Sequence, residues 1–218
     1  MALPMEMSLW VFGCAACAAV LTGERGPRAW FYLFKPLALL CLMLALGLSH
    51  DREIAVTWPV IFVGAALFFS WCGDIFLMLP KDRFVLGLAS FAVAHACYIA
   101  AFSAGRSFWA EPWVLAIVAV YGVWMVSRLW PFLGHLRVPV IVYALLIVGM
   151  LDQAWVSFVV APSGQTIALA LGATAFVVSD SILAWNRFLR PVAYAQGLIL
   201  STYYMAQGLI VGALLLSR

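Results

Sequence analysis

Two aspartates in strongly apolar surroundings are the residues best placed to do chemistry: Asp74, in Trp71-Cys72-Gly73-Asp74-Ile75-Phe76-Leu77, and Asp180, in Val177-Val178-Ser179-Asp180-Ser181-Ile182-Leu183. An ionisable side chain at depth in a membrane helix costs several kcal/mol, so by default it marks a functional site. Both acids fall about five residues before the end of an apolar run whose next connection is basic, which puts them ~8 Å inside the same interface. Lys35 enters at a comparable level. Two acids with one cation leave charge unneutralised, and protonating one of them is the cheaper arrangement. A neutral carboxyl beside an ionised one is a constellation for general acid–base catalysis. The competing reading is structural, with both acids as glue to Lys35 or to helix ends.

Other polar groups form a second tier. His95 and Tyr98 share a face with Phe91 and Phe102, and Gln196, Tyr203 and Gln207 share another, with Tyr204 adjacent. Such groups serve equally as hydrogen bonds between helices or as a site lining. Asp152-Gln153 falls toward the opposite side, near the outer interface, and reads as structural or solvated. His50, His95 and His135 lie at different depths with no His/Cys cluster or H-E-x-x-H, so no metal is expected. No Gly-rich phosphate loop or G-x-S-x-G occurs, and no cofactor is expected. Cys14 and Cys17 have C-x-x-C spacing inside an apolar stretch without acidic or His partners. All five cysteines read as ordinary buried thiols.

The elements that must position these groups follow from composition. Of 218 residues 67% are hydrophobic and 10% charged, with a mean hydropathy of +1.08. A soluble domain carries about 25% charged residues, so lipid must be the solvent of this chain. The length suits one integral membrane domain spanning 1–218. A net charge of +3 without a basic run gives no reason to expect nucleic acid. No Lys or Arg precedes the first apolar run, so no cleavable signal is expected.

Breaks rich in Gly, Pro and charge divide the chain into eight spans, at about 8–22, 31–49, 54–79, 84–104, 111–127, 138–160, 165–185 and 192–216. The fold class expected is all-α, a polytopic transmembrane bundle of antiparallel hairpins. Arg25, Arg28, Lys35, Lys81, Arg83, Arg128, Arg137, Arg187 and Arg190 belong to the odd-numbered connections, against Arg52, Arg106 and Arg218 on the other side. That bias puts the odd connections in the cytoplasm and both termini outside. Trp30, Trp58, Trp109, Trp113, Trp130 and Trp185 fall near span ends, as an interfacial belt would. A multi-pass protein of a bacterial cell membrane is the expected setting.

The two halves echo each other. Tyr98 follows Asp74 by 24 residues and Tyr204 follows Asp180 by 24, an offset of 106 in both cases. A Lys35-Pro36 start to the second helix is loosely matched by Arg137-Val138-Pro139 at the sixth. Four helices per half would make this a parallel 4+4 repeat, unlike the inverted repeats of many transporters.

Gly73-Asp74-Ile75-Phe76-Leu77-Met78 with Phe84, Gly87-Leu88, Phe91, His95 and Tyr98 resembles the signature of the YhhN family of membrane proteins. So do Gly172-Ala173, Phe176, Ser179-Asp180 and Leu183 followed by Tyr203-Tyr204 and Gln207, and Lys35-Pro36-Leu37. The resemblance covers about residues 30–212, and Asp152 has no place in it. It implies a lysoplasmalogenase-like activity, in which the vinyl-ether bond of a lysophospholipid is hydrolysed to a fatty aldehyde and glycerophosphoethanolamine or glycerophosphocholine. The family's two acidic motifs fall on Asp74 and Asp180.

That chemistry suits the residues. Vinyl-ether hydrolysis needs a positioned acid and an anion to stabilise an oxocarbenium ion, and two carboxyls in different protonation states supply both. The bond lies at the glycerol, near the depth of the two acids. Lys35, Lys81 and Arg83 are candidates to hold the phosphate; His95, Tyr98, Tyr203, Tyr204 and Gln207 are candidates to position water or line the alkyl pocket. The expected partners are a lysophospholipid substrate and the surrounding membrane lipids. A proton-coupled transporter, with the acids relaying protons to both faces, and an inert helical scaffold are the alternatives.

Overall fold

The computed structural model describes residues 3–49, 57–103 and 110–215, and every regular element among them is helical. The helices are α1 (Leu3–Arg25), α2 (Arg28–Gly47), α3 (Trp58–Met78), α4 (Phe84–Phe102), α5 (Pro112–Leu129), α6 (Arg137–Val160), α7 (Gly164–Ala184) and α8 (Ala195–Leu215). They are 18 to 24 residues long. At 1.5 Å per residue that is about 27 to 36 Å, the thickness of a bilayer's hydrocarbon core. All eight are apolar enough to span, and the chain is a multi-pass membrane protein. His50, Arg52, Arg106, Trp109 and Arg218, on which parts of the charge, aromatic and metal readings rest, lie outside the described residues.

Burial is inverted relative to a soluble globule. Lys35, Asp74, His95, Asp152, Gln153 and Gln207 are buried, whereas Trp10, Leu21, Ile117, Val120, Val123, Val138 and Leu145 are exposed. In lipid the apolar exterior is at no disadvantage, while each interior polar group must find a partner within the bundle.

Helix ends carry recognisable chemistry. Pro59 and Pro112 sit in the first turns of α3 and α5, where the missing N–H has no helical partner to lose. Ser163 caps α7 in a reciprocal capping box with Thr166. Glu24, at the end of α1, accepts a 2.7 Å hydrogen bond from the Gly197 N–H in the first turn of α8, where a negative group is favoured. After α7 the chain winds on through a π turn, Trp185–Leu189, a local widening often found beside functional sites.

The closest helix approaches bring the two aspartates inward. α3 packs most extensively on α4 and α7 on α8, while α8 also meets α1, α2 and α3. A Cβ at Gly73 would stand 2.6 Å from the Phe91 ring, and one at Gly172 would stand 2.9 Å from Ile210 and 3.1 Å from the Ala206 carbonyl. Only glycine allows these contacts, as is usual where membrane helices meet closely. Asp74 and Asp180 each lie four residues before the end of their helix, α3 and α7.

Two expectations change and a third is narrowed. α2 begins at Arg28, so Lys35-Pro36 stands two turns inside the helix, not at its start. Proline is tolerated there because neighbouring helices can satisfy freed backbone groups. Cys14 and Cys17 face outward from α1 and only Cys41 is fully buried, with Cys72 and Cys97 half-buried. Of the two readings of Asp152, structural or solvated, its burial fits the structural one, and it accepts a 2.8 Å hydrogen bond from the Gln153 side chain.

Candidate active site

At the end of the bundle formed by the odd-numbered connections, a cavity of about 420 Å³ descends between α2, α3, α4, α7 and α8. Asp74 and Asp180 both line it, with Lys35, Phe91, Ser179, Gln196 and Tyr203; Asp82, Arg83, Asn186 and Arg187 stand at its mouth. The two acids expected at one depth therefore share one chamber. Their surroundings differ.

Asp74 is charge-paired. Its Oδ1 lies 3.0 Å from Lys35 Nζ, and its Oδ2 accepts a 2.9 Å hydrogen bond from the Tyr203 hydroxyl. Side-chain exposures of 6% and 3% make this a buried ion pair. The ammonium also stands over the Phe31 ring, 5.7 Å from its centroid, and Tyr204 donates at 3.3 Å to the Lys35 carbonyl. α8 thus braces both partners, Tyr203 holding the carboxylate and Tyr204 the backbone that carries the cation.

Asp180 has a phenol and an imidazole for neighbours and is more open, with 15% of its side chain exposed. Its Oδ2 accepts a short hydrogen bond from the Tyr143 hydroxyl of α6. His95 Nε2 lies 2.9 Å from the Tyr143 oxygen and 3.4 Å from the same carboxyl oxygen. On its other edge the imidazole Nδ1 meets Met150 Sδ at 3.3 Å.

Of the residues read as substrate-binding, Lys35 and Tyr203 reach the cavity wall. His95, Tyr98, Tyr204 and Gln207 are buried behind it. Tyr98 donates a short hydrogen bond to the Gln207 side-chain oxygen, tying α4 to α8. The paired spacing of Asp74–Tyr98 and Asp180–Tyr204 is not a pair of contacts: Asp74 bonds Tyr203 and Asp180 bonds Tyr143.

Tyr143 is the site residue that sequence reasoning missed. Its signal was present, because Val140, Tyr143, Ile147, Met150 and Ala154 form a buried stripe at helical spacing on α6. A phenol in such a stripe must find a partner. The mouth was also underread. Arg187 donates at 2.5 Å to Asp82, bridging the connection after α3 to the π turn, and lies over the Phe84 ring at 5.1 Å. The Arg187 hydrogen bond, followed by the Phe84 N–H, holds the Asp82 carboxyl below its ordinary range.

The chain is thus a helical membrane bundle enclosing two carboxyls near one end, one paired with lysine and one held by a phenol and an imidazole. The sequence profile of the YhhN family matches residues 30–214, and the chain belongs to that family. It is 37% identical to the human lysoplasmalogenase TMEM86A over 194 residues, covering 85% of this chain and 78% of the relative. It is 35% identical to the human lysoplasmalogenase TMEM86B over 183 residues, covering 84% and 74%. The Escherichia coli membrane protein YhhN is 25% identical over 217 residues, covering 95% of this chain and 100% of its own. No solved structure matches significantly.

Proposed function

We propose that this protein is a lysoplasmalogenase-type hydrolase that cleaves the vinyl-ether bond of a lysophospholipid by two-aspartate acid–base catalysis. The observation that carries the mechanism is the asymmetry of the pair: Asp74 has a cation at 3.0 Å, while Asp180 has a phenol and an imidazole. On that geometry we assign the charge-stabilising role to Asp74, which has the lysine as its counter-ion, and the proton-donating role to Asp180.

Asp180 gives its proton to the outer alkene carbon, and the electrons of the double bond form the new C–H bond. The inner carbon becomes an oxocarbenium ion, which the Asp74 carboxylate stabilises across the cavity. Water adds to that carbon and loses a proton to Asp180. The hemiacetal then collapses, the C–O bond to glycerol breaks with protonation of the glycerol oxygen, and the aldehyde leaves. Tyr143 and His95 orient the Asp180 carboxyl and give its proton an alternative seat, so the acid is restored without a path to the far face.

The polar mouth suits the headgroup. Arg83 and Arg187 offer guanidinium groups to a phosphate, and Asp82 offers a carboxylate to the ethanolamine or choline nitrogen. Lys81 is not on the cavity wall.

The test is glycerophosphoethanolamine release by the purified protein from lysoplasmenyl-ethanolamine, its saturated ether analogue and its ester analogue, with fatty aldehyde measured alongside for the vinyl ether. Turnover of the vinyl ether alone, lost in Asp180→Asn, supports the proposal. Equal turnover of the ester, or full activity of Asp180→Asn, refutes it.

A further inference from the structure

Asp180 lines more than the polar cavity. On its other sides lie two small apolar cavities, about 50 Å³ against Leu88, Val140 and Phe188 and about 70 Å³ against Met125, Ile147 and Leu151. The second shares Gly122, Val126, Ala144 and Val148 with a larger apolar groove of about 590 Å³ on the outer face of α5 and α6. A polar chamber, a narrow neck at Asp180 and a membrane-facing groove therefore adjoin one another, separated by shared walls at Asp180 and at the Gly122–Val148 contact.

We infer that the seam between α5 and α6 is the route and seat of the substrate's single hydrocarbon chain, with the headgroup in the polar cavity and the scissile bond at Asp180. The inference rests on the vinyl-ether reading above. It adds a lateral entrance, a chain-binding groove and a reason for accepting one chain.

Three observations converge on that occupant. The polarity changes at the carboxyl: Asp82, Arg83 and Arg187 mark one end, while the groove wall is aliphatic apart from Ser127 and Trp130. A lysolipid changes polarity at the same point, between glycerol and chain. The neck is narrow, at about 50 and 70 Å³ against 420 and 590 Å³ on either side. One chain can thread it, and the second chain of a diacyl lipid would have no space. Finally, α5 is peripheral and packs chiefly on α6. It is pinned beside the neck by the Tyr121 hydroxyl, which donates at 2.6 Å to Ser181, itself bonded to the Val177 carbonyl.

Gly122 keeps the partition thin. A Cβ there would stand 2.7 Å from Val148 Cγ2. Alanine can be accommodated by turning that methyl away, whereas phenylalanine fills the seam.

The test uses the full chain in vesicles of diacyl phosphatidylcholine and a non-hydrolysable 1-O-alkyl lysophosphoethanolamine carrying a diazirine late in its chain. Photolabelling is expected on residues 119–126 and 141–148, and excess unlabelled alkyl lysolipid should reduce it at least tenfold. Excess diacyl phosphatidylethanolamine should not. Gly122→Phe, and independently Ala144→Phe, should lose the competable label, while Val120→Phe, on the lipid-exposed side of α5, should keep it. Label that diacyl lipid displaces equally marks ordinary bilayer contact and overturns the inference, as does competable label confined to other helices. Competable label at the seam without aldehyde release would sink the proposed reaction and leave the chain site standing. Aldehyde release with label elsewhere would do the reverse.

Discussion

Lys35→Met is the perturbation that best separates what the Lys35–Asp74 pair does for the fold from what it does for the site. The pair is 3.0 Å apart with side chains 6% and 3% exposed. At an effective dielectric of 20, Coulomb's law gives about 5.5 kcal/mol of attraction at that distance, most of it offsetting the loss of hydration. Methionine keeps the volume and removes the charge, leaving the Asp74 carboxylate buried with only Tyr203. Breaking such a pair costs about 3–5 kcal/mol. For a chain of this size about 1 kcal/mol moves the melting midpoint by roughly 2–4 °C, so Lys35→Met should melt about 6–20 °C lower. Asp74→Asn, which strands the lysine, should fall by a similar amount. The double variant leaves no unpaired charge and should recover most of that loss. Melting followed by the monodisperse fraction after heating in detergent provides the readout, with aldehyde release measured on the same samples. The double variant should be folded and inactive. If the two losses simply add in the double variant, the buried pair is not the source of the stability. If the double variant turns over at the wild-type rate, the Asp74 carboxylate has no place in the reaction.

Tyr143→Phe removes a hydrogen bond to the protonated carboxyl of Asp180, an interaction worth about 0.5–1.5 kcal/mol, and should lower kcat about 2- to 12-fold with little change in KM. An unchanged kcat would show that the phenol does not orient Asp180. Gly172→Leu would drive a side chain into Ile210 and the Ala206 carbonyl and should lower thermal stability and activity together, whereas Gly13→Leu, where a Cβ meets nothing within 4 Å, should leave both near wild type. Because Arg187 holds the Asp82 carboxyl below its usual range, the Asp82–Arg187 tether is complete above that range and is lost only as pH falls through the lowered value. Asp82→Asn should therefore leave the shape of the pH–rate profile between pH 5 and 8 unchanged while raising KM for zwitterionic headgroups. A new inflection in that interval would contradict this.

Much of the bundle was legible in the sequence because each span is a long apolar run and each break carries Gly, Pro or charge. Boundaries moved at α1, which runs Leu3–Arg25 where about 8–22 was expected, and at α2, where Pro36 looks like a start signal but is accommodated two turns inside, with α8 packed alongside. Asp74, Asp180 and Lys35 stood out because charge in an apolar helix is costly wherever it faces. The direction a residue faces is harder to read when nearly every position is apolar. Hence Cys14 and Cys17 face outward, against expectation. Tyr143 was hidden for a related reason, since its partner lies 37 residues away on another helix.

The central claim is that a protein carboxyl delivers a proton to carbon, and product isotope content tests this most directly. Hydrolysis of lysoplasmenyl-ethanolamine in deuterium oxide, with the aldehyde reduced at once to the alcohol, should place one deuterium on the carbon next to the former carbonyl. The yield of that product should vanish in Asp180→Asn. Aldehyde formed without deuterium at that carbon, or formed as fast by Asp180→Asn, would contradict protonation of the vinyl ether by Asp180.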